Sequence, residues 1–562
     1  MDRLKLTFSL IAISLFQFAF SQGNEVNGNN TVVKEKVYIT TNSNTFLTGE
    51  KLYFAVTCLN TTKNTISEFS KIAYIELIND EKQVVFKNKL FLNNSKSNGE
   101  YFIPGTLKTG TYKLIAYTNW MLNENIIDSS ILDITIINPY QPLDPKNVVV
   151  KNEVVSQPMT NNDANSAFNF EKKTYGKREK LMLRLKETPL IDKAGSYTLR
   201  VFKKDSLSNL TPQNTSLQTI TKKSGTILIP EFRGEVIAGK IKPKKEVGAE
   251  IKNINIALSI VGDNSFFKIV KTNSQGEFAF TIESSYKTDK LQLQILDKEN
   301  DEYTIEMANQ DALDYSQLTF NPVTISPTMK KALENRSVAS QIENAYLASK
   351  KDSLAVMSTP KIDYLKFDLE FKLDDYTRFQ TLKETLTEVI FGAFYKTVGK
   401  RNEIHIVDNI KEYELSHPAL VLIDGFYIQD VNELFKYNVD NVKSISLIRG
   451  GYYYGTKIFN GVIFIKSKNN DYENTNKNIY LIEPELLRPI QDKNYFSIDY
   501  STNDYTRIPD YRYQLLWKPD VKQEENEIHF YTSDISGTFE IVLEGIDSKG
   551  NKILQSDSFV VE

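Results

Sequence analysis

Residues 419–468 read ALVLIDGFYIQDVNELFKYNVDNVKSISLIRGGYYYGTKIFNGVIFIKSK. Ala419 to Ile423 is a short, wholly apolar run of the kind that forms a strand buried on both faces. Asp424-Gly425 then supplies the residue pair a tight turn demands. Val431 to Phe435 fits a short helix. Val442 to Ile448 alternates apolar and polar residues, the mark of a half-buried strand, and Gly461 to Ile465 is the next strand. Strands and short helices thus alternate within about fifty residues, which predicts a small α/β unit. The helical, amphipathic run Thr381 to Phe391 and the short strand Glu403 to Val407 extend that unit towards the N-terminus, over 368–470.

Outside this stretch the pattern is different. Lys36 to Thr41, Lys51 to Val56, Lys71 to Ile78, Val84 to Leu92 and Gly110 to Tyr117 are short β-like runs separated by turn residues. That spacing predicts a β-sandwich over 34–148. Parts of it recur. Glu50-Lys51-Leu52 reappears as Glu179-Lys180-Leu181, and Gly110-Thr111-Tyr112-Lys113-Leu114 as Gly195-Ser196-Tyr197-Thr198-Leu199. The separations differ, so these are local likenesses between sandwich strands, not a tandem repeat. They predict a second sandwich over 149–230. A third is expected over 231–320, where Lys271 to Phe278 reads as strand, glycine turn and strand, and Leu291 to Leu296 alternates. Residues 321–367 read as a helical linker. Ser326 caps its helix, Pro327 takes the first position, and Met329, Leu333, Val338, Ile342, Ala345 and Tyr346 mark its apolar face. Residues 471–496 read as a polar linker, and 497–562 as a further, C-terminal sandwich. The expected fold class is therefore mainly β and multidomain.

Composition agrees with this division. The chain has 562 residues, 68 Lys+Arg against 71 Asp+Glu, and a formal net charge of -3, which excludes a strongly basic nucleic-acid binder. Hydrophobic residues make up 41%, enough for ordinary cores. The 30 Tyr and 32 Phe favour β structure. Residues 1–21 read as a signal peptide: Arg3 and Lys5, an apolar run from Leu6 to Phe20, and the small residues Ala19 and Ser21. A retained anchor is the alternative. Residues 22–33 form an Asn/Gly-rich flexible leader, and no later run is long and apolar enough for a transmembrane helix.

The chemistry of catalysis is thin. His405, His417 and His529 are the three histidines and none stands in metallopeptidase spacing. No nucleophile elbow and no phosphate-binding loop occurs. Asp374-Asp375 are adjacent carboxylates; on an extended strand they would point to opposite faces and could not act as a pair, and a solvated turn or helix cap is the expected role. Cys58 is the single cysteine and lies within a strand, where an apolar role outweighs a nucleophilic one. Asp205-Ser206-Leu207 and Asp352-Ser353-Leu354 fit a weak three-residue pattern for O-glycan attachment. No catalytic residue, cofactor site or metal site is assigned, and a non-enzymatic chain is expected. The run from Gly450 to Gly455 is the candidate contact surface. Its glycines free the backbone, and Tyr452, Tyr453 and Tyr454 offer broad amphipathic area at low entropic cost. Strand packing inside the unit is the alternative for these tyrosines, as a ligand site is for Asp424-Gly425.

The 419–468 segment resembles the plug domain of TonB-dependent outer-membrane receptors in the Bacteroidetes style. The likeness rests on Val421-Leu422-Ile423-Asp424-Gly425, Val442-Lys443-Ser444-Ile445, Tyr454-Gly455 and Asn460-Gly461-Val462-Ile463. In such receptors the plug fills a barrel of about twenty-two strands. Residues 469–562, 94 in number, are too few for one at roughly ten residues per strand, so a plug-like module without a pore is expected. The front half resembles the macroglobulin-type sandwich of Bacteroidetes envelope proteins, through Glu35 to Tyr38, Gly49 to Phe54 and Gly110 to Met121. No C-x-E-Q stands here, so the thioester trap of α2-macroglobulins is not carried over. Residues 231–320 resemble a carboxypeptidase regulatory-like domain. Together these resemblances imply an exported protein, periplasmic or attached to the outer membrane. They imply a non-enzymatic subunit that docks on an outer-membrane β-barrel or on a transport, secretion or assembly complex. A glycan or small-molecule binding protein is the alternative reading, and an unrecognised hydrolase is the third.

Overall fold

A computed structural model describes residues 33–562, apart from 125, 128–129, 152–167, 186–191, 193–194, 209–217, 224–227, 246–249, 263–264, 285–289, 297–301, 309–312, 356–364, 400, 408–416, 456, 471, 475–479, 523–524 and 526. The expected signal peptide, and the expected leader except Val33, lie outside the described residues. The chain is mainly β, built from serial β-sandwiches and one small α/β unit.

The first sandwich takes its strands from one stretch of chain, apart from a short edge pair described below. One sheet joins Glu35–Thr41, Lys51–Asn60 and Lys96–Phe102. The other runs in the order Thr45–Leu47, Ile131–Ile137, Gly110–Tyr117, Ile72–Ile78, Val84–Phe91. Strands such as Ile72–Ile78 and Gly110–Tyr117 are buried along their whole length because they sit inside the sheet with neighbours on both sides. Between the sheets lie Val37, Phe54, Ile75, Leu77, Leu114 and Ile134, all close to fully buried. Cys58 belongs to this core, where its thiol donates to Glu35 at 3.4 Å and burial pushes its pKa well up, so it is an inert core residue.

The second sandwich is assembled from two distant pieces. Lys180–Leu185 pairs on one side with Phe168–Phe170 and on the other with Glu527–Tyr531. Ser196–Lys203 lies between Gly537–Ile546 and Gln514–Lys518. Leu181, Tyr197 and Val201 share one core with Phe530, Phe539 and Phe559. The segments expected as separate sandwiches, 149–230 and 497–562, therefore do not stand apart. Each supplies strands that the other needs to cover its apolar face.

The third sandwich stacks Glu277–Ile282, Glu235–Pro243 and Tyr303–Met307 against Phe266–Lys271, Asn255–Ile260 and Leu291–Ile295. The expected glycine turn is present: Gly276 at φ +77 joins its two strands with Asn273 accepting from Gln275 and Glu277.

The helix over Lys330–Ala345 starts as expected, with the Ser326 side chain accepting from Thr328 and Pro327 opening the turn. Its buried face differs from the expected one. Met329 is buried as expected, but Val338 is 53% exposed and Tyr346 is exposed, whereas Arg336 and Ala339 are buried. Arg336 decides the orientation. Its guanidinium holds the Glu50 carboxylate at 2.6 and 2.8 Å and the Thr45 carbonyl at 2.8 Å. A polar residue thus fixes a face that hydrophobic spacing alone assigns elsewhere.

Residues expected as a plain linker, 471–496, strap the units together. Leu481–Ile482 adds to the third sandwich beside Leu291–Ile295, and Pro489–Ile490 adds parallel to Val84–Phe91 of the first. Lys493–Asn494 pairs with Ser353–Leu354. Among the described residues no helix is long and apolar enough to cross a membrane.

Candidate functional site

The α/β unit carries the residues singled out in the sequence. Its sheet runs Leu369–Lys372, Val442–Tyr454, Lys457–Ser467, Leu420–Ile423, Phe426–Tyr427, with Leu420–Ile423 parallel to its neighbour. One helix, Leu382–Glu388, opens on a capping box between Thr381 and Glu384. A second, Val431–Leu434, is capped by Asp430. Leu386, Leu434, Ile423, Ile445 and Ile463 form the core beneath them.

Asp424-Gly425 is a two-residue hairpin turn with φ +48 and +91 at its two positions. The Asp424 side chain is 1% exposed. It accepts from the Ser467 N–H at 2.8 Å, the Ser467 hydroxyl at 2.5 Å and the Tyr472 N–H at 3.1 Å. A carboxylate so occupied organises the turn. Gly425 also abuts the third sandwich: a Cβ there would come within 2.2 Å of Ser265 Cβ.

Beyond Leu447 and Val462 the long hairpin leaves its sheet. Arg449 and Gly450 form a bulge, Gly450 at φ +153, and Gly451 to Tyr454 pair only with Lys457 to Asn460 among the described residues. The ribbon bends back so that a Cβ on Gly455 would lie 2.4 Å from the Ile269 carbonyl oxygen. Tyr452 packs beside Ala257, Phe267, Ile269 and Phe459, between the α/β unit and the third sandwich. Of the three tyrosines expected to contact a partner, Tyr452 is thus a packing residue. The side chains of Tyr453 and Tyr454 lie outside the described residues. The exposed part of the ribbon is Gly451, Gly455 and Ile458, the last 51% exposed.

The histidines are scattered. His405 is buried and stacks on Phe394, His417 lies near Asn460, and His529 sits on the sandwich strand Glu527–Tyr531. Asp374 pairs with Arg378 on the surface at 2.5 Å. Among the described residues no three His, Cys, Asp or Glu side chains are placed to hold a metal ion.

A second feature escaped the sequence reading. Where the first sandwich, the second sandwich and the helix Lys330–Ala345 meet, a cleft of about 210 Å³ opens. Tyr53 and Trp517 lie near parallel there, 6.0 Å between centroids, and Tyr495 meets both edge-on, at 4.9 and 6.5 Å. These three rings come from positions 53, 495 and 517, so no local pattern announces them.

The sequence matches no family model and no curated protein. Among solved structures it is similar to Salmonella alpha-2-macroglobulin reacted with methylamine, at 9% identity and a TM-score of 0.22, covering 94% of this chain and 39% of that one. The native conformation of Escherichia coli alpha-2-macroglobulin gives 9%, 0.23, 95% and 40%. Dimeric latent PorU from Porphyromonas gingivalis gives 11% and 0.15, over 52% of this chain and 34% of that one. The chain spans about two fifths of the macroglobulins' length.

Proposed function

We propose that this chain is a non-enzymatic interaction subunit of an outer-membrane complex serving transport, secretion or outer-membrane protein assembly. It is exported and works in the periplasm or attached to the outer membrane. The observation that carries this reading is the ribbon between Arg449 and Asn460. It is a strand pair that extends past its parent sheet, held at one face by the third sandwich and open at Gly451, Gly455 and Ile458. A strand pair that runs past its sheet, with Ile458 exposed on it, offers a surface on which a further strand can add. The unit that bears the ribbon resembles a receptor plug, and the sandwich beneath it a carboxypeptidase regulatory-like domain. Both are accessory modules in the resemblance.

The test is purification of the tagged chain from detergent-solubilised outer membranes. The expected result is a large, detergent-stable assembly containing a β-barrel protein. Ile458→Glu, which leaves the Tyr452 packing alone, should release the chain from it. Recovery of the chain as a free monomer from native membranes would overturn the reading.

A further inference from the structure

Apolar cores divide the molecule into two bodies. Tyr38 and Leu59 of the first sandwich share a cluster with Ile546 of the second. Leu47 and Ile137 share another with Leu207 and with Met329 at the start of the helix. The first sandwich, the second sandwich and the helix are thus one body. Ala257, Phe267 and Ile269 of the third sandwich share a cluster with Leu420, Phe459 and Val462 of the α/β unit, and these make the other. Among the described residues no buried apolar cluster holds side chains of both bodies.

Where the bodies meet, the contacts are polar. Glu235 opens the first strand of the third sandwich and is buried. Its carboxylate is held by Lys89 of the first sandwich at 3.1 Å and by Arg488 at 2.8 Å. Glu231, just before it, takes hydrogen bonds from Tyr74 and Asn119 of the first sandwich at 3.0 and 2.9 Å, and its carbonyl accepts from the Lys71 N–H at 2.9 Å.

Two connections between the bodies lie wholly within the described residues, and each narrows to a short stretch outside any strand or helix. Residues 232–234 lie between Glu231, tied to the first sandwich, and Glu235, where the third begins. Phe232 is exposed there, and Gly234 sits at φ +148. Residues 487–488 lie between Leu486, packed on the third sandwich core, and Pro489–Ile490, paired to the first.

The nature of the joint decides how hard it is to open. Parting an apolar core exposes its surface to water with nothing returned. Parting a buried ion pair gives hydration back to both charges, which roughly offsets the attraction lost. The closed joint also leaves Arg488 Nη1 buried without a partner among the described residues, a cost that opening removes. A polar joint with short connections, set between two apolar bodies, is where a chain of this kind bends.

We propose that the two bodies swing about residues 232–234 and 487–488, with the cluster of Lys89, Glu235 and Arg488 as a clasp that parts and recloses. The swing carries the ribbon along with the third sandwich, and it stands whatever the ribbon binds.

The test reads distances in the full chain. Cys58 is the single cysteine and is fully buried, so it takes no label. Lys180, Lys331, Lys240 and Lys372 are exposed. Spin labels on Lys180→Cys with Lys331→Cys report inside the first body, and on Lys240→Cys with Lys372→Cys inside the second. Lys331→Cys with Lys240→Cys reports across the joint. Double electron–electron resonance should give narrow distributions inside each body and a broader one across. Glu235→Gln leaves Lys89 and Arg488 without their carboxylate and should shift the distribution across the joint to longer distances. An apolar clasp, Lys89→Met, Glu235→Leu and Arg488→Met, with Glu231→Gln to keep the charge balanced, should narrow it. The proposal is overturned by a width across the joint equal to that inside the bodies with and without Glu235→Gln, or by an apolar clasp that lengthens the distances as Glu235→Gln does. Broadening of the pairs inside the bodies in Glu235→Gln would also overturn it, because the joint would then belong to a common core.

Discussion

The first and second sandwiches use the same local devices and are wired into the chain in opposite ways. In the first, Glu50 reaches back to accept from the Leu47 N–H at 2.8 Å. In the second, Glu179 does the same for Gly176 at 2.6 Å. Tyr112 sends its hydroxyl back to the Lys108 carbonyl at 2.9 Å, and the Tyr197 hydroxyl accepts from the Asp192 N–H at 3.0 Å. Both resemble the tyrosine corner that fixes a strand crossing in Greek-key sandwiches. Yet the first sandwich draws its strands from Glu35 to Ile137, with Pro489–Ile490 added at one edge, whereas the second waits for Gln514–Val561. The recurrence of short motifs reports shared strand chemistry and says nothing about which strands share a sheet.

The largest expected effect breaks this comparison outright. A chain ending at Phe496 lacks Gln514–Lys518, Glu527–Tyr531, Gly537–Ile546 and Lys552–Val561, so Leu181, Tyr197 and Val201 lose their cover. Hydrogen exchange should then show lost protection in Lys180–Leu185 and Ser196–Lys203, with Glu35–Thr41 and Lys51–Asn60 still protected. Retained protection in both sandwiches would mean that 168–203 folds by itself.

Next in size is Arg336→Ala. It leaves the half-buried Glu50 and the neighbouring Asp205 without their guanidinium and should cost about 2–3 kcal/mol in thermal unfolding. Pairing it with Glu50→Gln should recover part of the loss, because one of the two facing carboxylates goes too while Asp205, 3.9 Å from the guanidinium, remains. A single and a double variant of equal stability would show that packing, not charge, holds the helix.

What was legible follows from the range of the forces involved. The Asp424-Gly425 turn, the Ser326 start and the strands of the first sandwich are set by neighbours a few residues away, and each appears in the sequence. The pairing of Ser196–Lys203 with Gly537–Ile546 spans over three hundred residues, and nothing in either strand encodes the other beyond apolar alternation. The helix face was misread because Arg336 is charged yet buried, which periodicity counts as surface. The run Gly450 to Gly455 stands out in the sequence, but which of its sides faces inward depends on a bulge at Arg449 and Gly450 that shifts the register. The aromatic cleft has no linear signature at all.

The two tyrosine devices sharpen the comparison at a smaller scale. Tyr112→Phe removes a donor from a carbonyl on the exposed Lys108, and Tyr197→Phe removes an acceptor from an N–H on the half-buried Asp192. Water replaces the first more readily than the second, and a carbonyl has two lone pairs. Each loss should be about 1 kcal/mol, with Tyr197→Phe the larger. Chemical denaturation of the two variants decides it, and a larger loss at Tyr112 would show that the two corners are not equivalent.

The smallest effect is the pH dependence, and it should have opposite signs at the two sandwiches. Glu231 lies at the edge of the first, taking hydrogen bonds from Tyr74 at 3.0 Å, Asn119 at 2.9 Å and the Val236 N–H at 3.1 Å, with Lys89 and Glu235 nearby. Burial outweighs these and raises its pKa. A carboxyl that binds its proton more readily folded than unfolded loses stability as pH rises towards the folded value, and regains it on acidification. Asp534 belongs to the second sandwich. Desolvation pushes its pKa up, but the Arg178 guanidinium at 2.6 Å and the Asp510 N–H hold it below the ordinary value. Its contribution is present at neutral pH and is lost as pH falls through the folded pKa. Melting temperatures measured from pH 7 to pH 3 for wild type, Glu231→Gln and Asp534→Asn isolate the two. The deficit of Asp534→Asn should shrink towards acid. Glu231→Gln should match or exceed wild type at pH 7, and fall about 2 °C relative to it as the wild-type carboxyl protonates. Difference curves of the same slope would remove the contrast, because they would mean that burial and ion pairing weigh alike at both places.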